Sequence, residues 1–284
     1  MARGVSIDLE FTSLDCPRSV VALNVRTPPV IVLSITGPRD NVIARQVHRN
    51  GWSSLVVHSI CVDAKLASER CAAYFVEWQY ASDGGEEYLD PVRSQYRETI
   101  ILLSAAYEGA PVAYCPFIWV DQDVSLMRGL VQGWPKQLGS TWITRSYDLA
   151  SKAAPVLGPG GKFGATLAAR DRRLIEAQVT LREKTEKLPW PGFARAVNTR
   201  YFPELALGKH DQPAVHELVQ LKSRDIQVSP IWTGDAEMEF FDHPYLELPR
   251  LRPTEVVAGY RFSFALTVDD LICLKDLRAQ GSKE

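Results

Sequence analysis

Apolar residues fall in short runs along the chain rather than in long helical stripes. Runs at Val30–Ile35, Leu55–Val62, Ala72–Tyr80, Tyr96–Ala106, Val112–Val120, Gly164–Ala168, Leu174–Leu181, Ala214–Leu221, Ala236–Phe240 and Val256–Thr267 are rich in β-branched and aromatic residues. Most are bounded by Gly, Pro, Asn or Asp, which is the signature of strands joined by turns. In Thr99–Leu103 the run is continuous, which predicts a strand covered on both faces. Helical periodicity is rarer. It predicts a helix from Asp123 to Gln132 with Val124, Met127, Leu130 and Val131 near one face, Asp121 or Asp123 as its cap, and Pro135 ending it. A second helix is predicted over Asp269–Leu277, with Leu271, Leu274 and Leu277 inward. Many strands with few helices give an α+β, mainly β fold class. The stretch Ala150–Lys162, rich in Gly, Pro and Lys, reads as a loop. No long linker, repeat or low-complexity tract divides the chain, so 1–284 is read as a single domain.

Composition narrows the partners. At 284 residues roughly three quarters of the unfolded surface can be buried, so a core forms without staples. A net charge of −2 gives no electrostatic reason to expect nucleic acid or an anionic membrane as partner. The five cysteines are odd in number and include no CxxC pair, which argues for free thiols in a reducing compartment. Asp8, Glu10 and Asp15 come early, and the apolar stretch Val20–Ile35 is interrupted by Asn24, Arg26 and Pro28-Pro29. That is unlike a signal peptide and short of a membrane span, so a cytoplasmic location is expected.

Several chemical signatures are missing. Gly158-Pro-Gly-Gly-Lys-Phe-Gly164 lacks the ending of a phosphate loop and reads as a glycine turn. The histidines show no metal-binding spacing, Asp121-Gln-Asp123 reads as a helix cap rather than a metal pair, and no serine lies in a GxSxG elbow. Neither a metal nor another cofactor is called for.

Lys136 stands apart, set between Trp134-Pro135 and Leu138 after the apolar run containing Phe117 and Trp119. Two readings are open. In one the stem packs on Trp134 and the ammonium reaches water. In the other the amine is buried, its pKa falls, and the neutral form attacks a carbonyl carbon to give an imine.

The ordered pieces Cys71-Ala-Ala-Tyr-Phe-Val-Glu-Trp-Gln79, Asp90-Pro-Val-Arg-Ser-Gln-Tyr-Arg-Glu98, Gly129-Leu-Val-Gln-Gly-Trp-Pro-Lys-Gln-Leu-Gly139, Ala214-Val-His-Glu-Leu-Val219, Trp232-Thr-Gly234, Phe241-Asp-His243 and Val256-Val-Ala-Gly-Tyr-Arg261 resemble the acetoacetate decarboxylase superfamily. The resemblance covers 71–277; residues 1–70 are atypical. It implies a β-cone or barrel with peripheral helices, a homo-oligomer, and a lyase acting on a small oxo acid. It assigns Lys136 as the Schiff-base lysine, Glu98 as a proton shuttle, and Arg128 as a group that orients a carboxylate or the glutamate. That this family's lysine is activated by desolvation or a cationic neighbour is already known, so it comes with the resemblance. The second lysine of the decarboxylase pattern is here Gln137, and the family's N-terminal arginine has no clear match, Arg26 and Arg45 being substitutes that do not align. Those departures point from acetoacetate toward a larger β-oxo acid, such as a polyketide intermediate of secondary metabolism. Gln132 and Tyr260 resemble a longer branch that condenses pyruvate with an aldehyde and dehydrates the product; there the amide would hold the oxo-acid carboxylate and the phenol would move a proton. The expected activity is decarboxylation of a β-oxo acid. The alternatives are a pyruvate aldolase–dehydratase using the same lysine, and a non-catalytic binding protein.

Overall fold

In the computed structural model the described residues are 30–36, 64–65 and 70–278, apart from 190, 207–208, 210–212, 245 and 247. The expected strand Leu55–Val62, Arg26, Arg45, Cys16 and Cys61 lie outside the described residues. Strands dominate, in the order β1 (Val30–Thr36), β2 (Ala64–Lys65), β3 (Arg70–Gln79), β4 (Gln95–Tyr107), β5 (Ala110–Val120), β6 (Lys136–Leu138), β7 (Ser140–Ile143), β8 (Lys162–Ala169), β9 (Arg172–Thr185), β10 (Ala196–Pro203), β11 (Pro213–Val228), β12 (Ile231–Phe240), β13 (Glu255–Phe262) and β14 (Phe264–Asp276). A helical turn, α1 (Pro91–Ser94), precedes β4, and α2 (Asp123–Val131) follows β5.

The strands form one strongly curled sheet in the order β14-β11-β10-β5-β4-β3-β1-β13-β12-β9-β8-β7, with β2 on β4 and β6 on β5. Curling brings β7 back over β4, where Thr99 and Thr141 share a 2.7 Å hydroxyl contact. The sheet therefore has two apolar faces. Phe75, Ile101, Leu103, Trp119, Phe163 and Leu167 belong to the inner cluster. Tyr74, Val76, Trp78, Tyr96, Ile100, Leu102 and Trp134 belong to the other. Thr99 to Leu103 are all buried, as expected of a run covered on both sides.

Several expectations need correction. Asp269–Leu277 is not a helix: most of it continues β14, paired with β11 across register shifts at Leu218/Val219 and Lys222/Ser223. A long antiparallel ladder outweighs a weak helical period, which those irregularities mimic. Val256–Thr267 is two strands, split at Ser263, whose carbonyl and amide bond to Ser229. Strands β6, β7 and β10 were not foreseen; β6 is three residues long, too short to show alternation.

Helix α2 turns its apolar face outward. Val124, Met127, Leu130 and Val131 are exposed, whereas Ser125 and Gly129 are buried. Its N-cap is Gln122, which makes no side-chain capping bond; its amide instead donates to the carbonyls of Val92 and Arg93. Asp121 accepts from the Arg97 backbone and guanidinium rather than capping the helix. The helix ends at Val131, and the turn that stops it is made by Gly133, not by Pro135. Gly133 has φ 88°, its N–H donates to Leu130 O, and the N–H of Trp134 donates to Gly129 O, which makes a Schellman motif. That reversal turns the chain through Trp134-Pro135 directly into β6. The glycine turn before β8 is present as expected, with Gly160 at φ 83°.

Candidate active site

Strand β5 divides one of its edges between two parallel neighbours. Ala113 and Tyr114 pair with β10, while Ile118 to Val120 pair with β6. Lys136, the first residue of β6, lies opposite Ile118, so its backbone is held in the sheet. Its side chain runs under α2. Gly129 permits this, because a Cβ there would stand 2.3 Å from Lys136 Cδ.

The amine is buried, with the side chain 6% exposed. Nζ lies 2.6 Å from Glu98 Oε1 and donates a 2.9 Å hydrogen bond to Ser125 Oγ. Glu98, on β4, is itself buried, and its second oxygen accepts a 2.7 Å bond from the Trp78 indole. The Tyr96 ring centre is 5.5 Å from Nζ. Arg128 donates to the Tyr96 hydroxyl at 3.3 Å and stands over the Tyr80 ring. Burial pushes the Lys136 amine below its ordinary value and the Arg128 cation adds to that, while Glu98 opposes both. The cation that Gln137 fails to supply is thus provided from α2. Burial, with the Glu98 carboxylate adding, raises the Tyr96 phenol, and burial raises the Cys115 thiol beside the pair.

Of these groups Trp78, Tyr96, Glu98, Arg128 and Lys136 line a narrow cavity of about 50 Å³, whereas Ser125 is fully buried behind the amine and does not line it. Glu98, Arg128, Gln132 and Lys136 contribute its polar part, and Trp78, Tyr96, Trp134 and Phe193 much of its wall. Trp134 and Phe193, both in that wall, stack with centroids 5.2 Å apart. Wider grooves lie along β7 to β9, bordering the inner cluster, and beside Arg145, where Trp78 and Tyr96 form part of the lining; neither holds a buried lysine amine.

Four sequence candidates therefore meet: Lys136, Glu98, Arg128 and Gln132. Tyr260 does not line this cavity; it sits on β13 beside Tyr74, opposite Val32 and Thr233. Sequence reasoning missed Ser125, Trp78 and Tyr96. Ser125 and Gly129 are four apart, on one helix face, and two small residues at that spacing before the lysine were the available signal.

The family model for acetoacetate decarboxylase (ADC) matches residues 62–277. The chain belongs to the acetoacetate decarboxylase family. It is 23% identical over 174 residues to the acetoacetate decarboxylase of Clostridium botulinum (strain Eklund 17B / Type B), a match covering 61% of this chain and 65% of that one. Among solved structures it is similar to the enduracididine biosynthesis enzyme MppR complexed with pyruvate, at 34% identity over 89% of this chain and 90% of that one, TM-score 0.75. It is also similar to MppR complexed with the condensation product of pyruvate and imidazole 4-carboxaldehyde, at 31% identity over 97% of this chain and 100% of that one, TM-score 0.78. The expected family and fold are those found, and the MppR likeness favours the pyruvate alternative over the decarboxylase expectation. Among the described residues no helix is long and apolar enough to cross a membrane.

Proposed function

We propose that this chain is a pyruvate aldolase–dehydratase working through an imine on Lys136. The likeness to MppR, whose complexes hold pyruvate and its condensation product, carries this choice of substrate. The cavity supplies the means. Glu98 takes a proton from the Lys136 ammonium, leaving a neutral pair suited to a buried site. The amine attacks the keto carbon while Arg128 and Gln132 hold the carboxylate. Loss of water gives a protonated imine, and Glu98 then removes a C3 proton to form the enamine. The enamine carbon attacks an aldehyde, the alkoxide is protonated, water is eliminated, and hydrolysis frees Lys136.

Decarboxylation of a β-oxo acid remains a second reading, supported by the family match. The same imine would accept the electrons of the breaking C–C bond. Borohydride trapping separates these readings. Pyruvate should give a reduced adduct mapping to Lys136, and an aldehyde added with it should give an unsaturated oxo acid. Release of carbon dioxide from acetoacetate without condensation would establish the decarboxylase. No adduct from either acid would leave a binding protein, whereas unchanged turnover in Lys136→Ala would remove Lys136 and its imine from the mechanism.

A further inference from the structure

Imine formation asks for two proton transfers, one at nitrogen and one at oxygen. Once Glu98 has accepted the ammonium proton it is a neutral acid. When the neutral amine then adds to the keto carbon, the product carries N⁺H₂ and O⁻. One proton must leave nitrogen and one must reach that oxygen; Glu98 alone would have to give its proton to the oxygen before taking the next, with one carboxyl oxygen facing Nζ and the other held by the Trp78 indole. A second carrier with both an acceptor and a donor at the nitrogen lets the two transfers run together. A hydroxyl has both.

Ser125 is placed for it. Its Oγ accepts the 2.9 Å hydrogen bond from Lys136 Nζ, so it touches the reacting atom. It is completely buried, and it comes from α2, a different element from the one that carries Glu98. The amine thus has two polar neighbours on separate supports, Glu98 Oε1 at 2.6 Å and Ser125 Oγ. The Tyr96 ring centre lies 5.5 Å from Nζ, and Arg128 donates to the Tyr96 hydroxyl.

We propose that Ser125 is a catalytic residue that carries the proton from nitrogen to oxygen as the carbinolamine forms, while Glu98 serves the carbon and the departing water. The N–H proton passes to Ser125 Oγ as the Ser125 hydroxyl proton passes to the substrate oxygen, leaving the serine unchanged. Glu98 then protonates the new hydroxyl, water leaves, the nitrogen lone pair closes the C=N bond, and the carboxylate is free to take the C3 proton. This assignment rests on the imine reading above.

Two rates separate the roles: quenched-flow borohydride trapping of pyruvate, and deuterium entry at C3 per imine formed. Ser125→Ala should slow trapping about 100-fold, the low end for loss of a proton-transfer group, and leave exchange per imine within about threefold. Ser125→Thr, which keeps the hydroxyl, should recover trapping to within about tenfold of the wild type. Glu98→Gln should depress exchange. Unchanged trapping in Ser125→Ala, or equal losses in trapping and exchange, overturns the assignment, as does a Ser125→Thr variant no better than Ser125→Ala. Absence of any adduct in the wild-type protein would instead overturn the imine reading, and the assignment with it.

Discussion

Gly129 lies directly over the Lys136 side chain: a methyl group added to it would stand 2.3 Å from Cδ and 2.4 Å from Cε. The lysine cannot retreat, because its backbone is paired with Ile118 in the sheet. Gly129→Ala should therefore push the amine away from Glu98 and Ser125. The expected outcome is at least a 100-fold loss of borohydride trapping, with about 1–3 kcal/mol of destabilisation from overpacking, read by denaturant unfolding. Wild-type trapping in this variant would mean that the stem has room the structure does not show.

Arg128 and Glu98 act on the Lys136 amine in opposite senses. Trapping needs the neutral amine, so its rate rises with pH and levels off above the amine's pKa. Because that pKa is lowered, the rise should fall below the ordinary 10.5. Arg128→Gln removes a cation that favours the neutral form and should move the rise to higher pH. Glu98→Gln removes the anion that favours the charged form and should move it lower. A pH series of trapping rates on the three proteins checks the signs.

The same depression makes a stability prediction. Between the lowered folded value and 10.5 the unfolded chain binds more protons at this lysine than the folded chain does. The lysine's contribution to stability therefore rises with pH through that window. Lys136→Met, which fills the same space without a charge, should lack this rise when unfolding is measured across alkaline pH.

Trp78 holds Glu98 through a buried 2.7 Å bond. Trp78→Phe keeps a ring but leaves a carboxylate oxygen without its donor, at a cost of about 1–3 kcal/mol. Urea unfolding should show the loss, and C3 exchange of the pyruvate imine should fall because the carboxylate is no longer aimed.

Tyr260 was singled out by resemblance, yet the cavity around Lys136 does not include it. Tyr260→Phe should change trapping and C3 exchange by less than about threefold. A loss of 100-fold or more would restore the phenol as a proton carrier.

Which parts of this protein could be read without coordinates follows from range. Strands β3, β4, β5, β8 and β9 were legible because alternation and turn residues are local. Lys136 and Glu98 were legible through motifs, each set by its own short segment. The orientation of α2 was not, because its apolar stripe faces outward and its small residues face the lysine. Helical periodicity reports which side is apolar, not which side is covered. Trp78 and Tyr96 were hidden for another reason: they are cross-strand partners, and register decides which residues of β3 and β4 share a face. The end of β14 was misread because its partner, β11, lies dozens of residues away.

The Lys136–Glu98 pair has one more consequence, in the language of electroneutrality. Moving the shared proton from one partner to the other leaves their sum at zero, so with Arg128 the cavity carries one positive charge in either state. An oxo-acid monoanion brings that total to zero without exchanging a proton with the solvent. A neutral ketone of the same shape would leave the guanidinium uncompensated. The chamber is thus a counter-ion for its substrate before it is a catalyst, and the heat of pyruvate binding should be the same in buffers of different ionisation enthalpy.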